Sequence, residues 1–64
     1  MKHPEITVKL IGTDGNAFSI LAKVVRELKK ANLPKSEIDS FTEEATSGDY
    51  NQLLRTAMQW VNVI

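Results

Sequence analysis

The chain has 64 residues, with eight Lys or Arg against eight Asp or Glu, one His, no Cys and 42% hydrophobic residues. That length leaves room for one domain, spanning 1–64, and the apolar content is too high for a disordered chain. The absence of cysteine excludes a disulfide framework or a thiolate zinc site, and no apolar run approaches the ~20 residues a membrane-spanning helix needs.

The first residues, Met1-Lys2-His3-Pro4-Glu5, have no apolar segment behind Lys2 of the kind a secretory leader requires. The expectation is therefore a cytoplasmic domain with no membrane partner. A domain of this size buries only ~60% of the surface its unfolded chain exposes, and self-association is one of the few remedies left without disulfides or metals.

In chain order, Ile6-Thr7-Val8-Lys9-Leu10-Ile11 alternates apolar and polar residues and is rich in β-branched types, which predicts a half-buried strand. Ile6, Val8 and Leu10 fall on one face; Thr7, Lys9 and Ile11 fall on the other. Gly12-Thr13-Asp14-Gly15-Asn16 is a cluster of turn formers, and Asn16 suits the N-cap of a following helix. From Ala17 to Ala31 the period becomes helical: Ala17, Leu21, Val24, Leu28 and Ala31 form a stripe that Phe18, Ile20 and Val25 widen. Leu33-Pro34 ends that helix, because the residue before a proline avoids the α region.

Ser36 followed by Asp39 predicts the cap of a second, shorter helix reaching about Thr46, with only Ile38, Phe41 and Ala45 on its apolar face. Asp49 with Gln52 predicts the cap of a third helix, which buries Tyr50, Leu53, Leu54, Ala57, Trp60 and Val61. The tail Val61-Asn62-Val63-Ile64 is β-branched and can leave the helix as a short strand. The fold class that follows is α+β, mostly helical, in the order β-α-α-α with an optional C-terminal strand. A lone strand cannot satisfy its own backbone groups. Its partner is either this tail or the equivalent strand of a second molecule.

Catalytic sets are poorly represented. The one histidine, His3, falls in a segment expected to fray, and no thiol is present. Asp39 with Glu43, and the adjacent Glu43-Glu44, lie on the polar side of the second helix and are better read as a solvated face than as an acid–base pair. The Gly12–Asn16 turn lacks the Gly-Lys-Ser/Thr end of a P-loop and the third glycine of a dinucleotide fingerprint. No catalytic, cofactor-binding or metal-ligating residue is assigned, and the chain is expected not to be an enzyme.

Charge is unevenly distributed. Residues 1–35 hold seven Lys/Arg against three Asp/Glu, and residues 36–64 hold one against five, so the two parts carry +4 and −4. Lys23, Arg26 and Lys30 share one stripe of the first helix, and Lys9 projects from the outward face of the strand. This surface fits an acidic partner or a nucleic-acid backbone, unless the acidic second helix folds against it and neutralises it. A ribbon–helix–helix arrangement would read DNA with Thr7, Lys9 and Ile11, but the turn is long and a third helix is extra. A helix-turn-helix around Gly48 would read bases with Asn51, Gln52 and Arg55, and the acidic supporting helix opposes it. Phe18, Phe41, Tyr50 and Trp60 all occupy apolar helical phases and are expected in the core. Trp60, between Met58 and Val61, also belongs to a helix with apolar residues on more than one side, and such a surplus face marks an interface.

The run Ile6 to Val25, with Gly12 and Asp14-Gly15-Asn16-Ala17-Phe18, together with Ala45-Thr46-Ser47-Gly48-Asp49-Tyr50 and the Leu-Leu helix after it, resembles a group of small uncharacterised bacterial and phage-associated proteins. The resemblance spans most of the chain and implies a compact domain, with no activity attached to the group. The leading expectation is a non-enzymatic interaction protein, self-associating through the strand edge or the Trp60 face, with candidate surface residues Lys9, Lys23, Arg26, Lys30 and Trp60. The alternative is nucleic-acid binding through the basic stripe.

Overall fold

The computed structural model describes residues 2–12 and 14–64. Strand β1 (His3–Val8) is followed by helices α1 (Ala17–Lys30), α2 (Lys35–Ala45) and α3 (Tyr50–Trp60) and a short strand β2 (Val61–Val63). The fold is a small, mostly helical α+β arrangement, and the tail does form a strand. β2 lies beside β1 and runs parallel to it. A parallel pair cannot be closed by a hairpin and needs a long crossover; here the three helices supply it.

The strand begins at His3 rather than at Ile6 and ends at Val8 rather than at Ile11. Backbone bonds explain the shift. Lys2 N–H donates to Gln59 O at 2.9 Å, which draws the chain alongside the end of α3 before the alternating segment starts. Ile64 N–H donates to Val8 O at 2.9 Å and Leu10 N–H to Ile64 O at 2.6 Å, so the segment after β1 stays tied to the tail. Pro4 has no N–H for a ladder, and the register shifts between His3 and Thr7. Within β1 the predicted alternation holds: Ile6 and Val8 are buried, Thr7 is exposed, and Asn62 Nδ2 donates to Thr7 Oγ1 at 3.3 Å.

Asn16 caps α1 as its chemistry predicts, its Oδ1 accepting from Phe18 N–H at 2.8 Å. At the other end Leu33 N–H reaches Leu28 O at 3.2 Å and Asn32 N–H reaches Lys29 O at 3.0 Å. This is the Schellman pattern, and its left-handed residue is Asn32 at φ 63°. Gly12, at φ 82°, takes a conformation that side chains disfavour, which is why a glycine suits the turn after β1. Thr13 of that turn lies outside the described residues.

Helix α2 begins one residue before Ser36, with Pro34 in the N-cap position and no side-chain cap. The capping expectation at Ser36 is thus corrected. Pro34 fixes an extended φ/ψ of −66°/156° and its carbonyl accepts from Glu37 and Ile38, so the ring sets the helix start that a hydroxyl was expected to set. Asp49 caps α3 as expected, its carboxylate accepting from Gln52 N–H at 2.9 Å.

The core lies between the inner face of the strand pair and the three helices. Ile20, Val24 and Leu28 face it from α1, and Phe41 and Ala45 from α2. Leu53, Ala57 and Trp60 enter from α3 and Val61 from β2, and all of these are buried. Thr56, also fully buried, is the polar exception; its hydroxyl accepts from Gln52 Nε2 at 3.3 Å.

Candidate functional site

Trp60 is 1% exposed, so it does not front a surface. Phe41 meets it edge-on at 5.5 Å, the His3 ring lies 5.9 Å away, and Lys2 Nζ sits 4.2 Å from its ring centre. The indole belongs to the core because the strand pair and α2 both close over the end of α3. Near this end of α3 the large apolar residue left to solvent is Met58, 53% exposed. The expectation that Trp60 forms an interaction face is corrected accordingly.

His3 is not in a frayed segment. It lies in β1, and its Nε2 and Glu37 Oε1 are 3.2 Å apart, with Glu5 Oε1 3.8 Å from Nδ1. A β1 residue is thereby linked to α2, a contact that a sequence separation of 34 hides from any local pattern. Among the described residues, no group of three or more His, Cys, Asp or Glu side chains is arranged to hold a metal ion.

Two aromatic residues expected in the core are at the surface. Phe18 is 81% exposed and Tyr50 is 41% exposed. They border a groove of about 310 Å³ that Ala17, Leu21, Ala45 and Leu53 also line, between the start of α1 and the turn from α2 to α3. Phe18 misses the core because the sheet selects the Ile20–Val24–Leu28 side of α1, and Phe18 lies on the flank of that stripe. The groove has the chemistry to take apolar side chains.

The basic stripe is on the surface. Lys23, Arg26 and Lys30 are exposed, and so is Lys9. Lys23 and Arg26 share one shallow surface with Asp14 and Ser19; Arg26 and Lys30 share another with Lys29, Ala22 and Val25. Lys9 follows the last residue of β1 and belongs to neither surface. The acids of α2 are spent elsewhere. Glu37 faces His3, Asp39 takes Lys35 Nζ at 2.9 Å, and Glu43 and Glu44 line a polar patch with Ser40 and Ser47. Lys30 pairs within its own helix, with Glu27 at 3.6 Å.

The third surface is the outer edge of β1. Among the described residues the sheet has two strands in the order β1-β2, so β1 has a strand partner on one side only. Glu5, Thr7 and Lys9 are exposed there, with Glu5 side-chain exposure at 67%. Unpaired N–H and C=O groups on such an edge can accept another strand. No helix of the described residues is long and apolar enough to cross a membrane. Comparison with protein families, curated proteins and solved structures found no match to this chain.

Proposed function

We propose that this chain is a small, non-enzymatic interaction protein of the cytoplasm that associates with itself. The observation that carries this reading is the outer edge of β1, a six-residue strand with a strand neighbour on one side only among the described residues. An open edge is a liability unless it is blunted, covered or used. In a chain of 64 residues, whose core alone stabilises it thinly, use of the edge adds hydrogen bonds and burial that the monomer lacks. Sedimentation velocity across a wide range of protein concentration tests it. A shift from monomer to dimer with rising concentration supports self-association; a single monomeric species at every concentration and ionic strength overturns it.

One observation favours a second reading. The ion pairs of Lys30 and Lys35 are formed within their own helices, with Glu27 and Asp39, and Arg26 and Lys30 share an exposed surface with Lys29. The exposed run of Lys23, Arg26, Lys29 and Lys30 supports contact with a phosphate backbone. Such binding to random-sequence DNA or RNA falls steeply with salt, because phosphate contacts release counterions. Fluorescence anisotropy with both nucleic acids at low salt checks this, and Arg26→Glu is expected to weaken any binding found.

A further inference from the structure

We infer that two copies of the chain join through antiparallel pairing of their β1 strands about a two-fold axis at Thr7, which sets Glu5 of each copy opposite Lys9 of the other. This rests on the self-associating reading of the β1 edge and specifies what occupies it.

The direction of the backbone groups comes first. Val8 O accepts from Ile64 N–H and Leu10 N–H donates to Ile64 O, so residues 8 and 10 aim their polar groups at the tail. Thr7 pairs with Asn62 and Val8 with Val63, while His3 pairs with Val61 across the irregularity. The regular alternation is therefore the stretch from Glu5 to Leu10, where Glu5 and Thr7 are exposed between buried Ile6 and Val8; past it Ile11 N–H also turns to Ile64 O. Peptide groups alternate along a strand. The N–H and C=O of Glu5, Thr7 and Lys9 therefore aim outward, along the open edge.

Register follows from the side chains. In an antiparallel pair, directly opposite residues that exchange both backbone bonds recur at every second position. With Thr7 opposite its own copy, the next such pairs are Glu5 with Lys9 and Lys9 with Glu5. The same three residues that carry the outward backbone groups thus also carry matched charges, and Glu5 and Lys9 are both exposed and on the polar face. Opposite charges across a pair are favourable and like charges unfavourable. A parallel, in-register pairing would set Glu5 beside Glu5 and Lys9 beside Lys9. Centring the axis on Lys9 or Glu5 would likewise oppose like charges.

Topology agrees. A two-fold axis perpendicular to the sheet keeps the same face of both copies on the same side. Ile6 and Val8 of each copy would then still face helices, and Glu5, Thr7 and Lys9 would still face water. The sheet would grow to four strands in the order β2-β1-β1-β2, and its two remaining edges would be β2, of three residues each. The contact uses the same patch on both partners, so it closes as a dimer and does not propagate.

The test is a charge-swap series read by sedimentation equilibrium, with near-ultraviolet circular dichroism confirming that each variant keeps the native packing around Trp60. Lys9→Glu sets two Glu pairs across the axis and is expected to weaken the dimer by about tenfold or more. The double variant Glu5→Lys with Lys9→Glu restores opposite charges and is expected to recover the dimer to within about threefold of the parent. Thr7→Pro, which removes the outward N–H at the axis, is expected to abolish it. A dimer that ignores Lys9→Glu, or that the double variant fails to restore, overturns this register while self-association stands. A parent chain that stays monomeric throughout overturns both.

Discussion

Trp60 shows how one side chain organises the end of the core. It is buried against Phe41 and His3 with Lys2 over its ring, and its indole N–H has no acceptor among the described residues. An unpaired buried donor is costly, so the indole is retained for its volume and not for a hydrogen bond. Trp60→Ala is expected to lose about 3–5 kcal/mol in urea denaturation, enough to unfold a large share of a domain this small, whereas Trp60→Phe should lose clearly less. Phe18 is the opposite case. At 81% exposure its replacement by Ser removes little packing, and the expected stability change is within about 0.5 kcal/mol. Both residues sit on apolar helical phases, and the sequence pattern treated them alike. What separates them is which side of each helix the sheet covers, and that depends on a strand pairing between residues far apart in the chain. Thr56 escaped the pattern for another reason: a buried hydroxyl satisfied by Gln52 one turn earlier carries no apolar signal.

Signals carried within a few residues were legible at the level of elements. Asn16 and Asp49 cap α1 and α3 where their side chains said they would, because an N-cap needs only its own carbonyl or carboxylate and the next turn. The stop of α1 before Pro34 was equally local, and the structure adds Asn32 in the left-handed region as its means. Asn32→Ala is expected to cost about 1 kcal/mol and Asn32→Gly to cost nothing or stabilise, in paired thermal melts. The start of α2 was less legible, since a proline at the N-cap leaves no side-chain acceptor to recognise. On that helix, the hydrogen bond and the charge of Asp39 hold Lys35 above its ordinary pKa of 10.5. A raised value means that this exposed pair stabilises at pH below 10.5 and fades as pH climbs through the folded-state value. The neutral range is therefore expected to be flat for this pair.

The whole molecule depends on a contact that no local pattern encodes. Alternation identified β1 and β-branching identified β2, but the parallel pairing and the His3–Glu37 link join segments more than 30 residues apart. The basic residues of α1 lie on the surface, and of the α2 acids Asp39 has a local partner in Lys35, four residues away, whereas Glu37 meets His3 from across the chain. Removing Val61–Ile64 deletes the bonds that Val8, Leu10 and Ile11 make to the tail. Such a chain is expected to lose cooperative thermal unfolding altogether, as circular dichroism would record. Trp60 and Val61 are consecutive, both buried, and assigned to a helix and a strand with no loop between them. They behave as a crank: α3 can neither rotate nor slide unless β2 turns with it. One residue inserted at that joint would reverse which way Val61 and Val63 point, so the joint is expected to tolerate neither insertion nor deletion, while the Gly12–Asn16 turn tolerates both far better.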